Sequence, residues 1–421
     1  MFNQGLSLDQ APPFEVVLRF FLTIPFFGSL LALAIFGADL ELIMIWDAPQ
    51  TVAIVHLLLL GIAGMAMVGA LFQMLPVIAG ATIKRPLFHS KWIHICMLLG
   101  TLLLSSAFYF DKMSLLHPAL ALLLVSLFFM NFLMLFNLLR VDNKTASVNG
   151  MIAALSGFGF GLLFALFVTL TFMGVDIGLT ILDLRTIHMH FMLFGWITLL
   201  IMAVAFQVIE MFYVTPPYPN VVSKWFPRLI FSILVLQVPF YSLDKGIVTF
   251  LDLFIGGLLF IFAIITLKRL SQRKRPVADT TVWLWRTGLS SLALSVLFAF
   301  SSIFTKISEL FDFSALLFGY FVISIIFAMS YKIIPFLVWF HLNAKGVLET
   351  PMMGEIIEAK RTKWHLYLHW LLLGTLVISI FFPLFWKVTA LVLLAESLLF
   401  GANLFGAAKI YNSLKDKGIL C

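Results

Sequence analysis

The chain has 421 residues, of which 62% are hydrophobic and only 11% are charged. Soluble domains carry about a quarter charged residues, so this composition excludes an ordinary soluble enzyme or binding domain. The apolar residues form continuous runs of about 20 residues, which is the length of a transmembrane helix, and not the alternating pattern of a membrane β-barrel. The formal net charge of +7 follows from the placement of loop cations and does not indicate a nucleic-acid partner.

Twelve apolar runs predict about 12 transmembrane helices in an all-α polytopic membrane protein that contacts the lipid bilayer. In chain order the runs lie near residues 14–38, 52–78, 92–110, 115–140, 149–173, 187–214, 226–243, 246–269, 281–305, 314–341, 364–386 and 388–411. The loops after even-numbered helices, together with the C-terminal tail, hold about 18 Lys and Arg residues, and the other loops hold about 5. Because positively charged loops stay on the cytoplasmic side, both termini are predicted to be cytoplasmic, in the inner membrane of a bacterium.

One segment recurs along the chain. It reads "HLLLLGIAGMAMVGALFQ" at 56–73 and "HMHFMLFGWITLLIMAVAFQ" at 188–207. His56 and His190 are each followed by a glycine five residues later and by Phe-Gln at sixteen and seventeen, and a degenerate third copy begins at Ser314.

The three copies lie on predicted helices 2, 6 and 10, four helices apart. This spacing predicts a single transmembrane domain, 1–421, built from three pseudo-repeated four-helix arcs at approximately 1–145, 146–275 and 276–421. The alternative is a chance alignment of strings rich in Leu, Phe and Gly.

Three motifs give the chain its resemblance to a known family: "VHLLLLGIAGMAMVGALFQMLPVIAG" in helix 2, "HMHFMLFGW" in helix 6 and "YKIIPFLVWFH" at the end of helix 10. They resemble subunit I of the haem-copper oxidase superfamily, which has twelve helices in three arcs. The opening "LDQAPPFEVVLRFF" is similar to a subunit-I-like branch of that superfamily. The membrane haem-copper proteins linked to nitric oxide tolerance are similar in size and helix number, but their motifs match less well.

The departures from that family concern its metal ligands. The family's oxidases carry a histidine pair on helix 7 and a His-x-His on helix 10. Predicted helix 7 here has no histidine, and helix 10 has Ser314 at the repeat position and a single histidine, His341, at its far end. The resemblance therefore implies a haem protein without an oxygen-reducing haem-copper centre, and leaves open whether fewer histidines hold copper.

The histidines of the repeat are the candidate cofactor ligands, since an ionisable group inside a membrane needs a partner or a function. His56 and His190 lie near the start of helices that run in the same direction, so they share a depth and can hold the iron of a haem b. His188 lies about 200° around the helix from His190, which makes it an alternative ligand or a hydrogen-bonding partner. His117, at the entrance of helix 4, is a further candidate metal ligand. Interhelical hydrogen bonding is the alternative for each of these histidines.

A second set of polar residues is predicted to form a proton or ion path. The candidates are Asp252, Glu396, Lys332, Glu210, Gln73 and Gln207. Asp252 and Glu396 are expected in the outer half with the histidines, and could instead pair with the backbone or with Asn403. The other four form a level nearer the cytoplasm, where Lys332 is expected to pair with Glu210.

Two further patterns receive a structural interpretation. In "WHLYLHW", His365 and His369 share a helix face at a metal-chelating spacing, but the aromatic residues favour an interfacial belt. In "GFGFG", Gly157 and Gly161 permit close helix contact, either within the chain or between copies.

The sequence thus favours a haem-binding integral membrane protein that transfers electrons or binds a small gas such as nitric oxide or oxygen. It would meet an electron donor or a gas, and either form a homo-oligomer or join other membrane subunits. The alternatives are a metal or proton transporter that uses the outer His, Asp and Glu residues, and a non-catalytic assembly subunit. Catalysis is left open, with oxidoreductase chemistry as the form it would take.

Overall fold

The computed structural model describes residues 8–275, 277–305 and 307–417. Within these ranges the chain is helical throughout, without strands, as predicted. Twelve long helices follow in chain order: α1 (Phe14–Gly37), α2 (Pro49–Ala79), α3 (Pro86–Tyr109), α4 (Leu116–Leu139), α5 (Ala146–Phe172), α6 (Ile181–Tyr213), α7 (Asn220–Gln237), α8 (Lys245–Ser271), α9 (Thr280–Thr305), α10 (Ser308–Ala344), α11 (Ala359–Phe381) and α12 (Phe385–Leu414). Short helices lie at Leu8–Gln10, Met113–Leu115, Phe240–Leu243 and Met353–Ile356.

Polar residues at the loops set where several helices begin. Thr145 and Thr180 accept hydrogen bonds from the backbone N–H three residues later, at 3.3 and 3.1 Å. At the start of α8 the Oδ1 atom of Asp244 accepts from the N–H of Gly246, two residues later, at 2.8 Å, and at the start of α9 that of Asp279 accepts from Val282 at 3.1 Å. Such side chains satisfy N–H groups that have no acceptor within the helix, so the short polar loops fix the ends of long apolar helices.

Eleven helices in the described ranges are long and apolar enough to cross a membrane, and α7 is the long helix that falls short. It has 18 residues, about 27 Å of helix, and includes two cations and a proline. It nevertheless runs antiparallel to α8, because Tyr218 meets Thr266 at one end (Oη to Oγ1, 3.1 Å) and Gln237 meets Asp252 at the other (Nε2 to Oδ1, 2.6 Å). Thus α7 returns the chain across the bundle.

The two ends of the bundle differ in what they contain. At one, the start of α1 meets the end of α12: the rings of Phe14 and Tyr411 are 4.6 Å apart, and His341 of α10 is 5.8 Å from Phe14. We call this the terminal end. The opposite end contains His56 and His190, and we call it the histidine end. The meeting of α1 and α12 at one end agrees with an even number of crossings, while the compartment that each end faces stays a prediction.

The three helices of the sequence repeat are the most buried spans of the bundle. The buried shares of their most apolar windows are 61% for α2, 72% for α6 and 89% for α10, against at most 50% for the other spans. All three line an apolar cavity of about 60 Å³, together with Phe21 of α1 and Trp285 of α9. The repeated segments therefore form the centre of the molecule, and the division into arcs stays a prediction.

The repeat has a counterpart in backbone geometry. A π-helical segment, Leu57–Gly64, follows His56 directly, and another, Phe191–Thr198, follows His190 at the same repeat positions. Within the second segment the Thr198 hydroxyl donates to the carbonyl of Leu193 at 2.8 Å. Segments of π-helix are rare and are frequent at functional sites. The third copy, on α10, is regular α-helix.

The repeat glycines are sites of close helix contact. A Cβ built on Gly61 would lie 2.5 Å from the ring of Phe27 on α1. On the other side of the bundle, a Cβ built on Gly157 of α5 would overlap the carbonyl of Gly195 on α6. The "GFGFG" motif therefore serves a contact within the chain, where small residues allow two backbones to approach closely.

Candidate functional site

His56 and His188 have the same hydrogen-bonding arrangement. Nδ1 of His56 is 2.7 Å from the carbonyl oxygen of Val52, and Nδ1 of His188 is 2.9 Å from that of Gly161 on α5. Since a carbonyl only accepts, each Nδ1 carries the proton and each Nε2 keeps its lone pair. Among the described residues neither Nε2 has a hydrogen-bond partner, and both rings are half-buried. This is the tautomer and the support that a metal-binding imidazole requires.

The helices that carry the two histidines share an apolar neighbour, α10. Toward the terminal end α10 reaches both helices: Gly319 faces Leu58 of α2, and Phe318 lies 5.9 Å from the ring of Phe194 on α6. Toward the terminal end, the turns of α2 and α6 that follow His56 and His190 are therefore covered by apolar side chains and α10.

His190 is held differently from these two histidines. Its Nδ1 is 2.8 Å from the carbonyl oxygen of Thr186, and its Nε2 is 3.2 Å from Oδ1 of Asp252 on α8. Gln237 of α7 donates to the same carboxylate oxygen at 2.6 Å. With both ring nitrogens engaged, His190 is not free to bind a metal unless it leaves Asp252. Thus the pair with free nitrogens is His56 and His188, and His190 is the histidine that bonds a carboxylate.

The other predicted metal ligand lies apart. His117 is exposed in the first turn of α4. Within the ranges that the structure describes, no group of three or more His, Cys, Asp or Glu side chains converges to hold a metal ion. The arrangement that the histidine end offers is accordingly a two-histidine one.

Glu396 does not join the histidine end. It is fully buried on α12, where its Oε1 is 2.7 Å from Nδ1 of His369 and 3.7 Å from Nε2 of His365, both on α11. Ser324 of α10 lies 2.7 Å from Nε2 of His369. We call His365, His369 and Glu396 the buried triad.

The interpretation of "WHLYLHW" as an interfacial belt was wrong for its histidines. His365 and His369 are 0% exposed and face α10 and α12. The aromatic residues of the motif lie on the other face, with Trp364 57% and Tyr367 52% exposed. The i, i+4 spacing gave the two histidines one face but did not indicate that this face is the buried one.

The predicted pairing of Lys332 with Glu210 was also wrong. Lys332 Nζ binds Oδ2 of Asp279, before α9, at 2.6 Å, and Glu210 accepts a hydrogen bond from the backbone of Tyr218 at 3.0 Å. Partial burial would raise the pKa of Asp279, but the Lys332 ammonium outweighs it and holds that pKa below its ordinary value. Depth along a helix did not give the direction in which Lys332 points, and Asp279 lies in a loop.

The two glutamines of the repeat complete the predicted path only in part. Gln73 is buried on α2, with its Oε1 atom unpartnered, and Gln207 is half-buried on α6. In the described part of the chain no hydrogen bond joins them to each other or to Lys332. Three of the path candidates therefore lie in separate groups: Asp252 with His190, Lys332 with Asp279, and Glu396 in the buried triad.

Sequence reasoning missed three polar residues of these groups: Gln237 beside Asp252, and Tyr320 and Ser324 beside His369. Gln237 is a lone amide near the end of an apolar helix, and this pattern could have indicated a hydrogen-bonding role. The partners of Glu396 come from α10 and α11, whose packing against α12 only the structure gives.

Comparison with models of known protein families found none that matches the chain, and comparison with curated proteins found no significant match. The resemblance to the haem-copper oxidase superfamily therefore rests on the motifs of helices 2, 6 and 10 alone.

Proposed function

We propose that this polytopic membrane protein binds one haem b at the histidine end and uses it to transfer electrons or to bind a small gas, without a haem-copper oxygen-reduction centre. The observation that carries the proposal is the matched pair of His56 and His188, each with Nδ1 on a backbone carbonyl and Nε2 unpartnered. A haem held by both histidines would supply one-electron chemistry, and a haem held by only one of them would supply an iron atom for gas binding.

The donor set would hold a haem through two imidazoles. His56 lies on α2, and His188 lies on α6, where its Nδ1 contacts Gly161 of α5, so a bound haem would be held by both helices. Each carbonyl acceptor fixes the tautomer of its ring and raises the basicity of the opposite nitrogen. Gly161 is well suited to this task, because the absence of a side chain leaves its carbonyl accessible to His188.

His190 has a different role beside this pair. Its contact with Asp252 at 3.2 Å forms a group that can hold or release a proton, and Gln237 keeps the carboxylate in place. A proton gained or lost here offsets a charge that arrives or leaves nearby, because electrostatic interactions are strong in a low-dielectric environment.

The central cavity favours the gas-binding form of the function. It measures about 60 Å³, its lining is entirely apolar, and it lies between all three repeat helices. Apolar cavities of this kind stay dry and take up small apolar molecules such as xenon. A small gas that enters the bundle would find a place to reside next to the helices that carry the histidines.

The test is the visible spectrum of the detergent-purified protein, oxidised and dithionite-reduced, from cells supplied with haem. We expect sharp reduced bands that disappear in His56→Ala and in His188→Ala. His190→Ala should keep the bands but lose the pH dependence of the midpoint potential, and His117→Ala is the matched control that should change neither.

Loss of the bands in His190→Ala together with their retention in His188→Ala would transfer the second ligand to His190. A colourless protein despite ample haem would overturn the proposal. Metal or proton flux in proteoliposomes would then favour the transporter, and absence of flux would favour the assembly subunit.

A further inference from the structure

The buried triad lies on α11 and α12, against α10, and takes no part in the proposed haem site. All three side chains are 0% exposed in the middle of an apolar bundle. Both ring nitrogens of His365 and the Oε2 atom of Glu396 are buried without a hydrogen-bond partner among the described residues. Ionisable groups inside a membrane that are incompletely paired are a sign of function, and chains of Asp, Glu and His are typical of proton relays.

The hydrogen bonds around His369 are compatible with more than one position of a proton. The Ser324 hydroxyl donates to the carbonyl of Tyr320 at 2.7 Å, so it accepts from Nε2 of His369. The remaining nitrogen, Nδ1, faces Glu396 at 2.7 Å. One proton can therefore reside on the imidazole, as an ion pair with the carboxylate, or on Glu396, beside a neutral imidazole, with the same heavy-atom positions. Such coupled groups titrate as one unit.

A line of polar groups leads from this site toward the terminal end. His365 precedes His369 by one helical turn, and its ring is 5.3 Å from that of Tyr331. The Tyr331 hydroxyl accepts a hydrogen bond from Nδ2 of Asn403 at 2.9 Å. Tyr331 and Asn403 each lie seven residues beyond Ser324 and Glu396, about 10 Å along α10 and α12, so the two polar levels share the same helix faces.

We propose that the buried triad is a proton-binding site, loaded from the terminal end through His365, Tyr331 and Asn403. In the loading step one ring nitrogen of His365 accepts a proton from that side and Nε2 releases its own to Glu396. One proton is gained by the Glu396–His369 pair, and His365 returns to its neutral form. The 3.7 Å between Nε2 and Oε1 is closed by a small movement or by one water molecule.

The groups that face the triad come from three helices. They are Tyr320, Ser324 and Tyr331 of α10, His365 and His369 of α11, and Glu396 and Asn403 of α12. Tyr320 stacks on the ring of His369 at 4.2 Å between centroids, and Tyr331 lies beside His365, so both tyrosines contact the histidines of the triad.

The experiment is infrared difference spectroscopy of the purified protein between about pH 5 and about pH 8, the range in which histidine-linked sites titrate. We expect a carboxyl C=O band that changes with pH and shifts in D₂O. The band should be absent in Glu396→Gln and present in Glu349→Gln, which removes an exposed carboxylate. If Glu396→Gln does not fold, ¹³C-labelled glutamate in the unaltered chain assigns the band to a glutamate, and loss of the isotope shift in Glu396→Asp assigns it to this position.

The route is tested by His365→Phe, which keeps an aromatic ring among Phe327 and Phe400. We expect the carboxyl band to persist and its hydrogen–deuterium exchange to slow about a hundredfold or more. Absence of a Glu396 carboxyl band over the whole pH range would show a static ion pair, and a band that neither titrates nor exchanges would show a permanently protonated Glu396. Either result would overturn the site, and unchanged exchange in His365→Phe would overturn the route. His56→Ala should leave the band unaltered, so this result and the haem result are independent.

Discussion

The histidine end and the buried triad use the same residue type in opposite ways. At the histidine end, Nδ1 of His56 and Nδ1 of His188 each contact a backbone carbonyl, and neither Nε2 has a hydrogen-bond partner among the described residues. In the triad, His369 has both nitrogens bonded to side chains, and the group is closed to solvent. The first arrangement presents lone pairs to a ligand, and the second holds protons between its own members. What a histidine does here follows from the partners of both ring nitrogens, since His190 also has Nδ1 on a backbone carbonyl but has Nε2 on Asp252.

The helix geometry also differs between the histidine end and the buried triad. The histidines of α2 and α6 precede π-helical segments, whereas the triad lies on regular α-helices. The carbonyl that His188 contacts nevertheless belongs to Gly161 of α5, a regular α-helix, so the π-helical segments accompany the repeat histidines without deciding which groups these histidines bond.

The largest effect on stability is expected from Glu396→Ala. It leaves Nδ1 of His369 buried without an acceptor, and breaking a buried pair in this way costs about 3 to 5 kcal/mol. Thermal unfolding of the purified protein in detergent measures the change. Glu349→Ala, which breaks an exposed ion pair with Lys417 at 3.5 Å, is the matched control and should differ little from the unaltered chain. Equal unfolding temperatures for the two variants would show that the triad contributes nothing to stability.

A smaller loss of stability is expected from Gly157→Ala, which disturbs the packing of α5 against α6 near the histidine end. The added Cβ would overlap the Gly195 carbonyl, and overpacking of this kind costs about 1 to 3 kcal/mol. Because α5 also positions Gly161 for His188, the haem spectrum should change as well. Gly257→Ala, on α8, is the control: a Cβ there meets nothing within 4 Å, so a small gain of helix stability is expected. A loss in both variants would mean that the close contact of α5 with α6 is not the cause.

The smallest effect is expected at Lys332 and Asp279, an ion pair that belongs to neither region. The pKa of Asp279 is lowered, so the pair stabilises the fold above the unfolded pKa of about 4 and ceases to do so as the pH falls through the folded pKa. Since the Asp279 side chain is 48% exposed, the contribution should stay below about 1 kcal/mol. The stability difference between the unaltered chain and Asp279→Asn should therefore be present at neutral pH and disappear below about pH 4. A difference that persists at lower pH would assign it to the cap of α9 instead.

The apolar runs were sufficient to predict the helices, since length and composition decide whether a segment crosses a membrane. They also predicted that His188 and His190 face different ways, because two residues turn a helix by about 200°. Which of the two is free could not be predicted, since it depends on Gly161 of α5 and Asp252 of α8, whose positions are set by packing. The interpretations of Lys332 and His365 were wrong for a related reason: depth along a helix does not give its orientation about its own axis.

The π-helical turns of α2 and α6 restrict how many residues these helices can contain. Each π segment acts like about one inserted residue, and one residue turns an α-helix by about 100°. Met67 and Met74 in α2, and Leu200 and Val204 in α6, line the central cavity downstream of these segments. Removing a single residue from either segment would therefore rotate that half of the helix away from the cavity while leaving His56 or His190 in place. The number of residues in each π segment therefore sets how the cavity-lining half of the helix is rotated relative to its histidine. Single-residue deletions should be tolerated far less in these segments than substitutions.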